Sequence, residues 1–371
     1  MSLDLRIPTY EFTWEDGTKE IVPFHIPSGK KNRLRQLIAF SEYLKLIDKH
    51  TGFKVSSRGW AYLLENHRLI NKDQFDAAEG LVNECREKGT LPIDFVSEEE
   101  GRKFTGIEIP EEITPAEFLK QFLEALLTCD KWYTPDWWNG EKFYIQMLVE
   151  KVDLKTLFEP VCKEFHIPIA TSKGWSSMLQ RAEYARRFKQ AEDRGLKCVL
   201  LYCGDFDPDG DRISGSIRSN LEDLKNVVWS DGTRGYDPAN LIIDRFGLNK
   251  DFIDENNLTW IDNLITGSKK NLADPKHPNY GMDYVQTWLR DIGERKCEAN
   301  ALVTRPEQGR ALCRKAIEVC LGSEALDRFS EKMQRVTDEM DQVRKKTGLC
   351  ESITMALNLV DEYREASPRR A

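Results

Sequence analysis

The apolar run Cys198-Val-Leu-Leu-Tyr-Cys203 has the length of a strand and stops abruptly at Gly204-Asp205-Phe206-Asp207-Pro208-Asp209-Gly210-Asp211-Arg212. Its carboxylates are spaced two apart, Gly210 permits a sharp turn, and the mixed polar and apolar pattern that follows predicts a helix. A strand, an acidic loop and a helix in that order form a metal-site pattern. Magnesium prefers hard oxygen ligands and takes only one or two protein carboxylates, which leaves room for water and a substrate phosphate. Asp205 and Asp207 are suited to that task, with Mg2+ expected and Mn2+ as an alternative.

Three known loops share this appearance. A calcium EF-hand needs a helix before the loop and Glu at its twelfth position, where this chain has Ser216. Phosphohexomutases carry a similar Asp-Pro-Asp-Gly-Asp-Arg loop but also need a phosphorylatable Ser in a Ser-His-Asn-Pro setting, which is absent from this sequence. The Toprim domain of topoisomerases and related nucleases pairs its D-x-D loop with a Glu that ends an earlier parallel strand. Tyr144-Ile-Gln-Met-Leu-Val-Glu150-Lys151 supplies that pattern. Between the two strands, the sequence predicts a helix over Val152 to Phe165, a short strand over His166 to Ala170 and a helix over Ser176 to Arg194. Leu154, Leu157, Phe158, Val161, Cys162 and Phe165 share one face of the first helix. Strands alternating with helices imply a parallel sheet, whose functional groups collect at the carboxyl ends of the strands. Glu150, Asp205 and Asp207 all lie at such ends.

A chain of 371 residues accommodates two or three domains with substantial cores. No apolar run approaches membrane-spanning length and the N-terminus lacks a secretory pattern, so a cytoplasmic protein without membrane contact is expected, nucleoid-associated if prokaryotic. The nine Cys show neither paired C-x-x-C spacing nor Cys/His clustering, as expected of reduced intracellular thiols. A net charge of -8 argues against avid, non-specific coating of DNA, although a local basic surface can still hold phosphates.

Along the chain, 1–29 reads as an N-terminal extension with a hairpin, Thr9 to Pro23, turning at Asp16-Gly17. Residues 30–105 read as a winged-helix domain. Its first helix carries Lys30, Lys31, Arg33 and Arg35 and reaches about Asp48. A helix over Arg58 to Asn66 follows, capped by Ser56 or Ser57, then a second that opens at Asn71 and Gln74 and stops at Gly89. Leu91-Pro92-Ile93 begins the wing. On the first helix of this pair Trp60, Leu63 and Leu64 share the buried face, which sets Tyr62 and Arg58 together opposite. A phenol one turn from a guanidinium suits nucleophilic attack on a phosphodiester, with the Arg holding the phosphate. Surface or interdomain packing is the alternative for Tyr62. The second helix offers Asp76, Glu79, Glu84 and Glu87, which repel phosphate. Either Arg58, His67, Arg68 and Lys72 make the DNA contact, with Lys151 from the sheet domain, or the module serves something other than duplex recognition. Residues 106–140 are a linker with one helix, Pro115 to Leu127, and the aromatics Trp132, Tyr133, Trp137 and Trp138, suited to packing or to stacking on bases. A parallel-sheet, Rossmann-like domain spans 141–305. Arg181, Arg186, Arg187, Lys189, Arg194 and Lys197 are candidates for a phosphate channel, and Gly267 to His277 is a basic loop. A helical tail spans 306–371. The fold class is α/β with an α-rich N-terminal part.

Ser57-Arg58-Gly-Trp-Ala-Tyr62, Glu150-Lys151, Lys173-Gly174-Trp-Ser176-Ser177, Asp205-Phe-Asp207-Pro-Asp-Gly210 and Glu298-Ala-Asn-Ala301-Leu302 together resemble the type IIB topoisomerase A-subunit superfamily. That group includes the topoisomerase VI A subunit and the meiotic double-strand-break protein, and the similarity spans about residues 40 to 305. The resemblance implies a winged helix followed by a Toprim domain. It also implies a Tyr nucleophile at Tyr62 that becomes linked to a 5′ phosphate of DNA, a neighbouring Arg58, and metal-binding acids Glu150, Asp205 and Asp207. Glu150 would serve as ligand or proton shuttle, and Asp209 makes the loop similar to type IIA enzymes and adds a further ligand. The chain departs from the family at Ala61, where an aromatic is usual, and at Gly59, where an acid is frequent. A homodimer is expected, with Tyr62 of one subunit acting at the metal of the other. Strand passage would require a separate GHKL-type ATPase subunit, since no Walker A loop is present. Two alternatives stay open: a Toprim nuclease of defence or mobile-element type that hydrolyses DNA or RNA by metal-bound water, and a non-catalytic DNA-binding protein.

Overall fold

The computed structural model describes residues 9–13, 17–97, 111–172, 178–265 and 270–366. The Lys173 to Ser177 motif and part of the basic loop at 267–277 lie outside these residues. The chain divides into two units, one formed by 1–99 with 141–321 and the other by 100–140 with 322–371. It is a mixed α/β protein, and no helix among the described residues is long and apolar enough to cross a membrane.

The first unit begins with an antiparallel hairpin, β1 (Thr9–Thr13) and β2 (Lys19–Pro23). Three helices follow: α1 (Arg33–Thr51), α2 (Ser57–Asn66) and α3 (Phe75–Glu87). Ser56 is the residue that caps α2, its hydroxyl accepting the Gly59 N–H at 3.0 Å. Leu37, Phe40, Leu44, Trp60, Leu63, Leu64, Phe75 and Val82 interlock into one apolar core, with Trp60 stacked on Phe95 at a centroid distance of 5.0 Å. Leu91-Pro92-Ile93 does not form the expected strand. Leu91, Phe95 and Val96 are buried with the intervening residues exposed, a spacing set by a turn in which Phe95 N–H bonds to the Pro92 carbonyl at 3.1 Å.

The rest of this unit is built on a four-stranded parallel sheet. In the second unit α4 (Pro115–Leu126) precedes it in sequence. The sheet strands are β3 (Phe143–Val149), β4 (Ile169–Thr171), β5 (Lys197–Cys203) and β6 (Ile242–Arg245), ordered β4-β3-β5-β6. β3 and β5 are buried along nearly their whole length, as central parallel strands must be when both faces are covered. α5 (Val152–Glu164) links β3 to β4, α6 (Met178–Glu192) links β4 to β5, and α7 (Ile213–Glu222) links β5 to β6. The buried polar Gln146 is satisfied from α6, donating to the Tyr184 carbonyl (3.0 Å) and accepting from Arg187 (2.8 Å). The basic helix side chains expected at a phosphate channel are thus partly structural: Arg181 binds Asn220, and Arg186 pairs with Asp231 and covers Trp229. α8 (Lys250–Glu255), α9 (Asp283–Asp291) and α10 (Pro306–Leu321) complete the unit, α10 packing on α5.

In the second unit α4 packs with α12 (Leu349–Ala366), which follows α11 (Ala325–Thr347). Lys120 bonds Asp361 (2.8 Å) and Glu117 bonds Arg364 (2.7 Å). Trp137 and Trp138 pack edge-on against Phe329, and Arg344 is held by Asp130 and Asp341. The linker segment and the last two helices, distinct regions by sequence, therefore form one unit, while α10 belongs to the other.

Candidate metal and nucleophile site

The chain leaves β3 toward β4 on one side and leaves β5 toward β6 on the other. Between the carboxyl ends of these two neighbours lies the crevice where open α/β sheets place ligands. Val149 faces Cys203 in register, so the next residues emerge side by side. Glu150 N–H extends the ladder to the Cys203 carbonyl (2.9 Å), and Glu150 Oε2 accepts the Asp205 N–H (2.8 Å). Gly204 makes this approach possible. A Cβ there would lie 2.5 Å from the Tyr202 hydroxyl and 2.8 Å from Glu150 Oε2.

Lys151 completes the arrangement. Its Nζ donates to Glu150 Oε1 (2.5 Å) and to Asp205 Oδ2 (3.0 Å), while Asp205 Oδ1 accepts the Ala299 N–H (2.8 Å). Burial opposes the charge on Lys151, but Asp205 and Glu150 outweigh it and hold the ammonium protonated far above its ordinary value. Burial also opposes the charge on Glu150, and Lys151 overrides it, drawing that carboxyl down. At Asp205 burial prevails over Lys151 and the carboxyl is raised.

Asp207 follows one residue beyond. It is buried, and its Oδ1 accepts the Gly210 N–H at 2.6 Å. Burial pushes its carboxyl up to about 6, the Gly210 bond opposing and the Asp205 charge adding. The turn requires Gly210, since a Cβ there would lie 2.3 Å from the Asp205 carbonyl oxygen. Asp209, expected as a further ligand, is exposed and turned instead to the Tyr284 hydroxyl (3.3 Å), whose ring also lies under Arg212.

Among the described residues no three His, Cys, Asp or Glu side chains stand together as a ready cage for a metal. What stands together is a pair of carboxylates sharing one cation position, taken by the Lys151 ammonium. Two hard carboxylate oxygens converging on one cation position are the donor type magnesium takes.

α2 brings Tyr62 to this site within the same chain. It packs on the short helix Ala299–Thr304, which follows Glu298. Tyr62 is half-buried, its ring edge-on to Phe75 at a centroid distance of 4.9 Å, and Arg58 lies 5.3 Å over the same Phe75 ring. Burial pushes the phenol well above its ordinary value; the charges of Glu298 and Asp205 add to this and that of Lys151 opposes it. Glu298, Lys151 and Asp205 of the same chain thus lie within electrostatic reach of Tyr62. Glu298 is 8% exposed, is paired with Lys72 and leaves Oε2 without a hydrogen-bond partner.

The expected DNA contacts divide. Arg58 is paired with Asp76 (2.7 Å) and Glu79 (3.4 Å), so the acidic face of α3 neutralises it; Arg33 is likewise paired with Glu84. Lys72 and Lys151 are engaged by Glu298 and by the two site acids. Arg68 is exposed at a left-handed turn, φ 58°. His67 is half-buried and lines a cavity of about 330 Å³ with His50, Arg305 and Asn257. Burial, with Arg305 and His50 adding, pushes its pKa down to about 4, so it is neutral.

The aromatic usual at position 61 in the resembled family has no place here, because Ala61 is fully buried in the core. At Gly59 a Cβ would lie 2.2 Å from Val55 Cγ1 and 2.4 Å from Asp153 Oδ2. Asp153, in the first turn of α5, accepts from the Ser56 N–H (3.0 Å) and hydroxyl (3.3 Å), tying the start of α2 to the helix that leaves Glu150. Sequence reasoning missed Asp153, the bridging role of Lys151 and the pairing of Lys72 with Glu298. Only the Glu150-Lys151 adjacency signalled one of them. Compared with protein-family models, curated proteins and solved structures, the chain matches none.

Proposed function

We propose that this chain cleaves the phosphodiester backbone of DNA in a divalent-cation-dependent reaction, with Tyr62 as nucleophile and Glu150 and Asp205, joined by Asp207, as the cation-binding acids. The observation that carries the reading is the convergence of Glu150 and Asp205 on one cation position at the carboxyl ends of β3 and β5, with Tyr62 of the same chain in the field of these groups. In this reading the helical part of the first unit acts as a winged helix lacking a formed wing strand, and the sheet part as a Toprim domain. Magnesium, when bound, supplies charge stabilisation at the phosphate and at the departing oxygen. The phenol gives up its proton as its oxygen attacks phosphorus, the bond from phosphorus to the 3′ oxygen breaks, and that oxygen takes up a proton to leave as a 3′ hydroxyl, with the 5′ phosphate linked to the tyrosine. Arg58 exchanges its exposed pairing with Asp76 for the phosphate. Topoisomerase activity would further require a separate ATPase subunit.

A second reading, hydrolysis by a metal-bound water with Tyr62 a bystander, is favoured by the raised phenol and by the pairing of Arg58 with α3 acids. Supercoiled plasmid incubated with Mg2+ or Mn2+ and quenched with denaturant separates the two. The first reading expects a covalent protein-DNA adduct, and Tyr62→Phe to lose both adduct and cleavage by roughly 10³-fold or more. Undiminished cleavage by Tyr62→Phe establishes the second reading. Persistence of cleavage in Asp205→Asn would refute both.

A further inference from the structure

The one ionised group shared by both acids is Lys151, and its placement carries a consequence for cation binding that the acids alone do not. Its ammonium is bonded to Glu150 Oε1 and Asp205 Oδ2 together, where a metal held by both carboxylates must also lie. Two cations cannot occupy that position, because at 3–4 Å their repulsion is several kcal/mol even at an effective dielectric of about 20. Two half-buried acids this close also repel one another unless a positive charge lies between them. Lys151 supplies that charge in the metal-free protein. It is half-buried on the residue after Glu150, and the flexible four-carbon stem of Lys allows its head to leave without moving the backbone.

We propose that Lys151 is a resident counter-cation of the Glu150/Asp205 pair, which an incoming divalent cation displaces, and that the displaced ammonium then contacts the phosphate of the nucleic-acid substrate. The inference rests on the reading of these acids as cation ligands. It adds an order of events: the metal does not merely join a waiting site but releases a phosphate-binding group, so cation and backbone bind cooperatively. Without metal the ammonium is held by the acids and unavailable to DNA.

The test uses the full chain, Mn2+ as the probe cation and calorimetric titration with paramagnetic resonance as the readouts. Lys151→Met keeps the length of the stem and removes the charge, and is expected to bind Mn2+ roughly tenfold or more tighter than the unaltered protein. Lys151→Arg keeps a cation and is expected to bind Mn2+ within about twofold of the unaltered protein. Without metal, Lys151→Met is expected to melt lower, because two half-buried acids lose their counter-charge, and Mn2+ is expected to raise its melting temperature by more than it raises that of the unaltered protein. Lys151→Gln provides a second neutral variant should Lys151→Met fail to fold. In a Tyr62→Phe background, which blocks the proposed cleavage, Mn2+ is expected to increase affinity for a short oligonucleotide, and adding Lys151→Met is expected to abolish the increase. Unchanged or weaker Mn2+ binding by both neutral variants, with Glu150→Gln weakening it, overturns the displacement and leaves the acids as ligands. If the unaltered protein and Glu150→Gln bind Mn2+ equally, the cation-ligand reading itself fails.

Discussion

His67 shows how one half-buried side chain links pH to stability. Its imidazole titrates near 4 in the folded chain because of burial and of Arg305 and His50, against 6.5 as its ordinary value. As pH falls below about 6.5 the unfolded chain takes up the proton first, so stability is complete above that pH and is lost progressively on the way down to about 4. The loss from this residue is about 2–3 kcal/mol at full extent. His67→Phe is expected to flatten that part of the profile. Urea unfolding midpoints of both proteins between pH 7 and pH 4 measure the difference, and parallel profiles would show that His67 is not the titrating group. The same residue marks a boundary of sequence reasoning. A His beside an Arg at a helix end suggests phosphate contact, but only the tertiary structure reveals that Val303 to Gln308 line one cavity with it.

At the scale of the element, α2 is positioned from both ends. Its N-terminus is capped by Ser56 and held to α5 through Asp153, and its middle rests on the segment following Glu298. Gly59→Ala inserts a methyl group into the Val55 and Asp153 contacts, within 2.4 Å of both. We expect it to cost about 1–3 kcal/mol by overpacking and to shift Tyr62 relative to Glu150. Thermal melts read the first effect, and adduct yield per folded molecule reads the second. An unaffected melting temperature would contradict the close approach of α2 and α5. Most element limits were legible beforehand because hydrophobic spacing of 3.6 is a local property: α5, expected over Val152 to Phe165, is observed as Val152–Glu164. The wing strand was not, because its residues bury at a turn spacing dictated by the helical core beneath them.

Across the whole molecule, the chain pairs sequence-distant segments into units. Arg344 of α11 bonds Asp130 and Arg364 of α12 bonds Glu117, contacts that join 100–140 to 322–371. Phe329 is 3% exposed and is the ring on which Trp137 and Trp138 rest. Phe329→Ala is expected to destabilise this unit by about 3–5 kcal/mol while leaving Mn2+ affinity unchanged. Calorimetry combined with metal titration checks both halves, and a parallel loss of metal binding would show that the two units do not behave independently.

The amino-acid sequence by itself determined that Glu150, Asp205 and Asp207 end two parallel strands. Apolar runs, turn residues and helical periodicity are short-range signals, and alternating strands and helices leave few topologies. Tertiary structure alone decided what surrounds those acids: Lys151 turned back between two strands, Lys72 paired with Glu298 across 226 positions, and Tyr62 set within electrostatic reach of Lys151 and Asp205. Such partners are chosen by which surfaces pack, and packing between distant segments leaves no periodic trace in either of them.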